Sequence, residues 1–423
     1  MTNGDDRVRG DTGNVHSAPR REESTDTRGL IEVRRILSAW RPGVASGVSR
    51  SGSSMANGYG VLHRALAEAG AALEWLKYGR RKRHQSDRYH IQPYRGHGTA
   101  NYLYLSGRVF EGGPVPSARA DDPYFRNFWH TLQRLGSDEV PAARVRVSAN
   151  GVDQTVLADD EGYFQVALQT RTSPGDGEVW RELEVELLDP VSESGRVTAR
   201  GFSIVPPTAA RFGVISDIDD TVVKTDVANL FRMIRLVLLT NAHTRLPFAG
   251  VAGFYRALHR GAAGPFTNPL FYVSSGPWNF YDLLTEVLEV HGIPLGPLFL
   301  KDYGLARDLL LSRGHAEHKL AAIERIFATH PQLRFVLLGD SGQMDPEIYH
   351  ETVRRHPGRV EVVYIRDVSH AERDRELRNL ATEVEDLGVQ MIFASDTLSV
   401  AEDAAERGLI DAAGLAHVRT EGG

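Results

Sequence analysis

The stretch Val214-Ile-Ser-Asp-Ile-Asp-Asp-Thr-Val222 sets Asp217 and Asp219 one residue apart, with Thr221 two further on. Carboxylates packed this closely repel, so a site that keeps them needs a counter-charge. Mg²⁺ is the simplest one, because it takes hard oxygen ligands and bridges protein carboxylates to phosphate. The competing reading is plainer: Asp217 caps a following helix, and Asp219 and Asp220 are solvated in a turn.

Three further segments carry polar residues at the ends of apolar runs. Leu270-Phe-Tyr-Val-Ser-Ser-Gly-Pro277 ends in Ser274 and Ser275. Their hydroxyls, and the backbone N–H groups beside Gly276 at the start of a helix, suit phosphate oxygens; an ordinary helix cap is the alternative. Phe335-Val-Leu-Leu-Gly-Asp-Ser-Gly-Gln-Met-Asp-Pro346 carries Asp340 at its strand end and Asp345 five residues on. These would give a Mg²⁺ site its remaining carboxylates; capping by Ser341 or Asp345 competes, and Asp345 is expected to cap in part. His315-Ala-Glu-His-Lys319 precedes a helix. Lys319 would balance the aspartates and phosphate, with Lys301 as its rival.

The elements that must position these residues are strands alternating with helices from Phe212 onward, which implies a parallel α/β sheet. Its strands are expected at Gly213 to Ser216, Leu270 to Val273, Phe335 to Leu338 and Val360 to Ile365, with Val389 to Phe393 near an edge. In open α/β sheets ligands sit at the carboxyl ends of the strands, where Asp217, Ser274 and Asp340 fall. An insertion of helical pattern follows the first strand and includes Leu230 to Leu239, with Arg232 and Arg235 on its polar side. Such an insertion can lid the site.

Upstream, residues 91–207 show period-two alternation in Tyr102 to Phe110, Ala143 to Ser148, Gly162 to Leu168, Glu182 to Leu188 and Val197 to Val205. Turn residues such as Asn150-Gly151 separate them, which suggests an antiparallel β-sandwich. Nothing in this region looks catalytic, and Pro206-Pro207 makes a stiff boundary. Residues 57–90 are expected to form an amphipathic helix (Val61 to Lys77) and a basic linker holding Arg80-Arg-Lys-Arg-His84. The cluster is a solvated turn or a peripheral contact with an anionic membrane surface. Residues 1–56 are polar and rich in glycine, and are expected to be a disordered tail. Leu30 to Trp40 would be a short helix within it, and Met55 is a candidate natural start.

The 423 residues are 41% hydrophobic and 25% charged, which suits a soluble globular protein of two or three domains. A net charge of −6 gives no drive toward nucleic acid. There are no cysteines, which excludes disulfides, thiolate metal sites and a cysteine nucleophile. No apolar run reaches membrane-spanning length, and a signal-peptide core is lacking. A cytoplasmic location is expected.

Asp217-Ile-Asp-Asp-Thr221 resembles the DxDxT signature of the haloacid dehalogenase-like phosphatases. The serine after a buried strand, the lysine at a helix start and Gly339-Asp340 resemble that superfamily's other motifs, in order. Tyr272-Val-Ser-Ser-Gly-Pro-Trp-Asn279, His318-Lys319 and Gly339-Asp-Ser-Gly-Gln-Met-Asp-Pro-Glu-Ile-Tyr349 are similar to the phosphatidate phosphatase catalytic domain of the actin-patch protein type. The resemblance covers about residues 95–415 and includes a β-rich region ahead of the catalytic part.

The resemblance implies a Rossmann-like sheet of the haloacid dehalogenase type over residues 208–423. It implies Asp217 as the nucleophile, forming an aspartyl-phosphate, and Asp219 as acid and then base. Asp217, Asp340 and the backbone carbonyl of Asp219 would hold Mg²⁺, supported by Asp345. Ser274 or Ser275, Gly276 and Lys319 would hold phosphoryl oxygens, and Thr221 would orient the loop. Phosphoryl transfer needs such charge neutralisation and positioning more than unusual covalent groups. The expected activity is a Mg²⁺-dependent phosphatase acting on phosphatidate or a related lipid. A phosphatase for soluble phosphomonoesters and a silent phosphate-binding scaffold are the alternatives.

Overall fold

The computed structural model describes residues 89–112, 139–170, 179–193, 195–218, 250–262, 264, 268–301, 312–368 and 373–422. The tail, the Met55 start, the helix at 61–77, the basic cluster at 80–84 and the insertion at 230–239 lie outside them. So do Asp219 and Thr221.

Seven strands come first: β1 (Tyr89–Gly98), β2 (Tyr102–Glu111), β3 (Arg144–Ala149), β4 (Val152–Leu157), β5 (Tyr163–Gln169), β6 (Trp180–Asp189) and β7 (Val197–Ile204). They form one sheet in the order β4-β3-β6-β7-β1-β2-β5. Alternate side chains of β1, β2, β3, β5 and β6 meet in one core that includes Ile91, Leu103, Val147, Phe164 and Leu183. Asn150 and Gly151 both take positive φ, 51° and 74°, the conformation that two-residue hairpins favour, and they join β3 to β4.

The expectation of wholly antiparallel pairing needs correction. β1 runs parallel to β7 through Gly96–Ser203 and His97–Ile204. Alternation in a sequence reports which face a residue takes and is silent on strand direction. Two strands also escaped the alternation. β1 starts inside the expected linker and carries Pro93, and β4 is exposed at most positions.

The second sheet is wholly parallel. Its strands are β8 (Phe212–Asp217), β9 (Leu270–Pro277), β10 (Leu298–Lys301), β11 (Arg334–Asp340), β12 (Val360–Arg366) and β13 (Met391–Ala394), in the order β10-β9-β8-β11-β12-β13. The helices are α1 (Val251–Arg260), α2 (Tyr281–Val290), α3 (Ser312–Thr329), α4 (Asp345–Arg355), α5 (Asp374–Asp386), α6 (Thr397–Glu406) and α7 (Ala412–Gly422). On one face Phe254, Leu258, Ala401, Ala404 and Val418 of α1, α6 and α7 pack with Val214, Val336 and Leu338. On the other, Ile326, Phe327, Ile348 and Val384 of α3, α4 and α5 pack with Ile215, Phe271 and Leu337. Helices on both faces explain why these strands read as unbroken apolar runs. β13 takes the edge, as expected, and β10 supplies the other.

From β8 the chain winds outward through β9 and β10, then returns to β11 and winds the other way. Connections that diverge between β8 and β11 leave a crevice at their carboxyl ends, the place where open α/β sheets bind ligands. The first sheet packs onto the second: Ile204 of β7 and Tyr94 of β1 each join a core of the parallel sheet. Among the described residues no helix is long and apolar enough to cross a membrane.

Candidate active site

The strand register brings the acidic residues together. Ser216 of β8 pairs with Leu338 of β11, so Asp217 and Asp340 end adjacent strands at the crevice. Asp345 opens α4 just beyond. Each of these three residues places a carboxylate oxygen within 4.8 Å of one from the others. Lys319 enters from α3, its Nζ 2.8 Å from Asp217 Oδ1 and 2.7 Å from Asp345 Oδ1. None of the four is more than 3% exposed. Three carboxylates and one ammonium leave a buried excess of negative charge, which costs several kcal/mol unless a cation offsets it.

Local hydrogen bonds fix Asp340 and Asp345. Asp340 Oδ1 accepts from the N–H groups of Gly342 at 2.6 Å and Gln343 at 3.1 Å. Asp345 Oδ2 accepts from the Asp340 N–H at 3.2 Å. Asp345 therefore clasps the strand end, and Met344 rather than Asp345 occupies the α4 cap position, with no side-chain cap bond. Ser341 does not cap α4 either: its Oγ donates to Asp367 at 3.1 Å and accepts from the Val368 N–H at 2.8 Å. Gly339 has to be glycine here, because an added Cβ would lie 2.7 Å from Asp345 Oδ2. The Tyr349 hydroxyl reports the local field. Burial pushes its pKa up, and the charges of Asp345, Asp217 and Asp340 push it further.

The lysine rivalry resolves by helix phase. Lys319 faces the acids, whereas Lys301 ends β10, opposite Pro277. α3 begins at Ser312, so Lys319 lies well inside the helix and not at its start. His318 points the other way, bonded to the Phe299 backbone, and burial first of all lowers its pKa to about 4. It is neutral at pH 7.

The serine segment also differs from expectation. β9 continues through Gly276 to Pro277, a short 3₁₀ turn (Trp278–Phe280) follows, and α2 starts only at Tyr281. Pro277 is extended, with φ −73° and ψ 153°, and it holds the residue before it extended too. The Gly276 N–H donates to Ser274 Oγ at 2.9 Å, so it is spent within the turn and does not face a ligand. Ser274 and Ser275 are both buried beside the strand end of Asp217, whose register partner is Val273.

Sequence reasoning missed what secures this segment. Tyr94 of β1 stacks on Trp278 at 4.5 Å and lies against Tyr281 at 4.4 Å. Arg108 of β2 donates to Asn279 Oδ1 at 3.0 Å and to the Glu161 carbonyl at 2.9 Å. Gln92 hydrogen-bonds Asp282. Arg373 was also missed; it donates to the carbonyls of Ser341 and Gln343 at 2.6 and 2.7 Å and pairs with Glu347, holding the loop after Asp340. No local pattern marks residues that act from so far along the chain.

Residues 212–367, which hold all the site residues described so far except Arg373 and those of the first sheet, match the family of the phosphatidate phosphatase APP1 catalytic domain. The match covers 156 of the 423 residues. The chain is also similar to phosphatidate phosphatase APP1 of Saccharomyces cerevisiae: 31% identity over 218 residues, 51% of this chain and 35% of that protein. An uncharacterized protein of Schizosaccharomyces pombe is 23% identical over 260 residues, 59% of this chain and 42% of that one. The chain thus spans well under half the length of either relative. Among solved structures, the carbohydrate acetylesterase XAC1771 of Xanthomonas citri aligns over 77% of this chain and 72% of that one at 12% identity, with a TM-score of 0.27; a likeness so slight bears on neither fold nor function.

Proposed function

We propose that the chain is a Mg²⁺-dependent phosphatase of the haloacid dehalogenase type, acting through an aspartyl-phosphate on phosphatidate or a related lipid phosphate. The observation that carries this reading is the buried group of Asp217, Lys319, Asp340 and Asp345 at the switch point of a parallel sheet. The APP1-type match supports the lipid substrate.

The donor set fits Mg²⁺: three hard carboxylates, closely gathered and carrying excess negative charge. Asp217, Asp340 and Asp345 would hold it, with the Asp219 carbonyl. When bound, the ion neutralises charge on the phosphoryl oxygens. Asp217 attacks phosphorus in line, and its Oδ–P bond forms as the ester P–O bond breaks. Asp219 gives a proton to the leaving alkoxide and then takes one from the water that hydrolyses the acyl phosphate. The roles must be split, because one carboxylate cannot be nucleophile and proton donor together. Lys319, fixed by Asp345, offsets repulsion between Asp217 and a dianionic phosphate. Ser274 or Ser275 holds a phosphoryl oxygen, and Thr221 orients the loop.

Phosphate release from an aryl phosphate, with and without Mg²⁺, tests the reaction. Phosphatidate vesicles run beside soluble phosphomonoesters test the substrate. Asp217→Asn is expected to lower release by about 10⁴-fold or more while the far-ultraviolet circular dichroism stays unchanged. Substantial residual turnover would reject Asp217 as nucleophile, and no release from any ester would leave a phosphate-binding scaffold.

A further inference from the structure

On the face covered by α1 and α6, the carboxyl ends of β11, β12 and β13 leave a pocket beside Asp340. Leu338, Gly339 and Tyr364 form its floor, and Phe254 of α1 and Val400 of α6 form its walls. It encloses about 420 Å³ only when the open solvent at its mouth is counted. Its lining is almost wholly apolar.

Arg366 is the cation at this pocket. Its Nε is shielded from solvent, and its charge is felt by the buried hydroxyl of Tyr255, which bonds Ser216 Oγ at 2.6 Å, one residue before Asp217. Arg366 is also the register partner of Asp340 on the neighbouring strand, about 4.8 Å across the sheet. Alternation puts Arg366 and Asp340 on the face of Tyr364 and Leu338. The acid in the lining, Asp396, is turned onto α6, where Oδ1 accepts from the Ser399 N–H at 2.9 Å. A guanidinium thus stands where the apolar pocket meets the carboxylate cluster. An apolar tail joined to an anionic head at the carboxylate cluster would find an apolar wall here, beside the register partner of Asp340. A sugar phosphate would instead set hydroxyls against a wall that offers them few partners, at a cost of about 1–3 kcal/mol each.

We infer that this pocket takes the ester-linked apolar portion of a glycerolipid phosphate, with Arg366 contacting the oxygens between head and tail. The inference rests on the phosphatase reading for where the phosphate lies, and it adds the subsite that selects a lipid over a soluble ester.

The test is binding, so that it does not depend on turnover. In the full chain carrying Asp217→Asn, with Mg²⁺, calorimetry compares dioctanoyl phosphatidate below its micellar concentration with glycerol 3-phosphate. Burying even two methylenes is worth about tenfold, so the lipid is expected to bind about tenfold tighter or better. Val400→Trp, which fills the pocket, is expected to cut that advantage to about threefold or less. Val400→Phe replaces it if near-ultraviolet circular dichroism shows the tryptophan variant misfolded. Arg366→Gln is expected to weaken the lipid about tenfold, the loss of a charge-assisted bond. Equal affinities for the two ligands, or an advantage that survives both changes, would overturn the subsite. Phosphate release by the unsubstituted chain is read separately. Release without an acyl advantage removes the pocket and keeps the phosphatase; an acyl advantage without release does the reverse.

Discussion

Lys319 decides the charge balance of the carboxylate cluster. Its ammonium bridges Asp217 and Asp345 at 2.8 and 2.7 Å while almost fully buried. Lys319→Met would leave two buried carboxylates facing each other, and breaking a buried ion pair costs about 3–5 kcal/mol. A loss of that size is expected in urea unfolding without divalent metal. If the acids hold Mg²⁺, added Mg²⁺ raises the stability of the unsubstituted chain, and Asp340→Asn abolishes that rise. A metal response that survives Asp340→Asn would place the ion elsewhere. Asp217 and Asp340 were legible in the sequence because each stands at the end of an apolar run, and strand ends are where the sheet exposes chemistry; Asp345 was legible only through its place five residues beyond Asp340. The choice between Lys319 and Lys301 was not legible. It depends on the phase of α3 relative to β8, which packing sets and local composition does not.

At the scale of elements, the first sheet buttresses the serine segment of the second. Arg108 reaches Asn279, the Glu161 carbonyl and, at 3.6 Å, Glu139, with its guanidinium over Tyr163. Arg108→Ala removes a fork that fixes the turn directly after Ser274 and Ser275. Misplacing a catalytic segment by about 1 Å can cost about a hundredfold in rate, so a fall in kcat of about ten- to a hundredfold is expected, with the fold intact. Arg108→Lys should not restore it, since an ammonium cannot span the same partners. Unchanged kcat in both variants would make the first sheet mere packing. Most strands of both sheets could be read from their patterns. β1 could not, because Pro93 and a basic flank hide its alternation, and the late start of α2 follows from Pro277 holding β9 extended. Which sheet touches which loop is a contact between residues about 170 apart, and no periodicity carries it.

At the scale of the whole molecule, the two sheets meet at a buried histidine pair. His97 of β1 and His330, just after α3, approach to 3.2 Å between Nδ1 and Nε2. At that distance one ring donates and the other accepts, so two protonated rings cannot share the contact. Burial is the main cause that lowers both pKa values, His330 to about 3, and nearby Arg325 and Arg359 act in the same direction. Unfolded histidine titrates near 6.5. Between about pH 6.5 and 3 the unfolded chain therefore binds protons that the folded chain refuses, and stability falls as pH drops through that window. Each imidazole contributes a slope of up to about 1.4 kcal/mol per pH unit. Urea unfolding at pH 7, 6 and 5 should show this decline, and His330→Gln should flatten it by about one proton's worth even though the variant is less stable at pH 7. The same slope in both proteins would mean that the acid sensitivity comes from other groups. Neither histidine stands out in the sequence, since a neutral buried pair is created only where two sheets close on each other and exclude water.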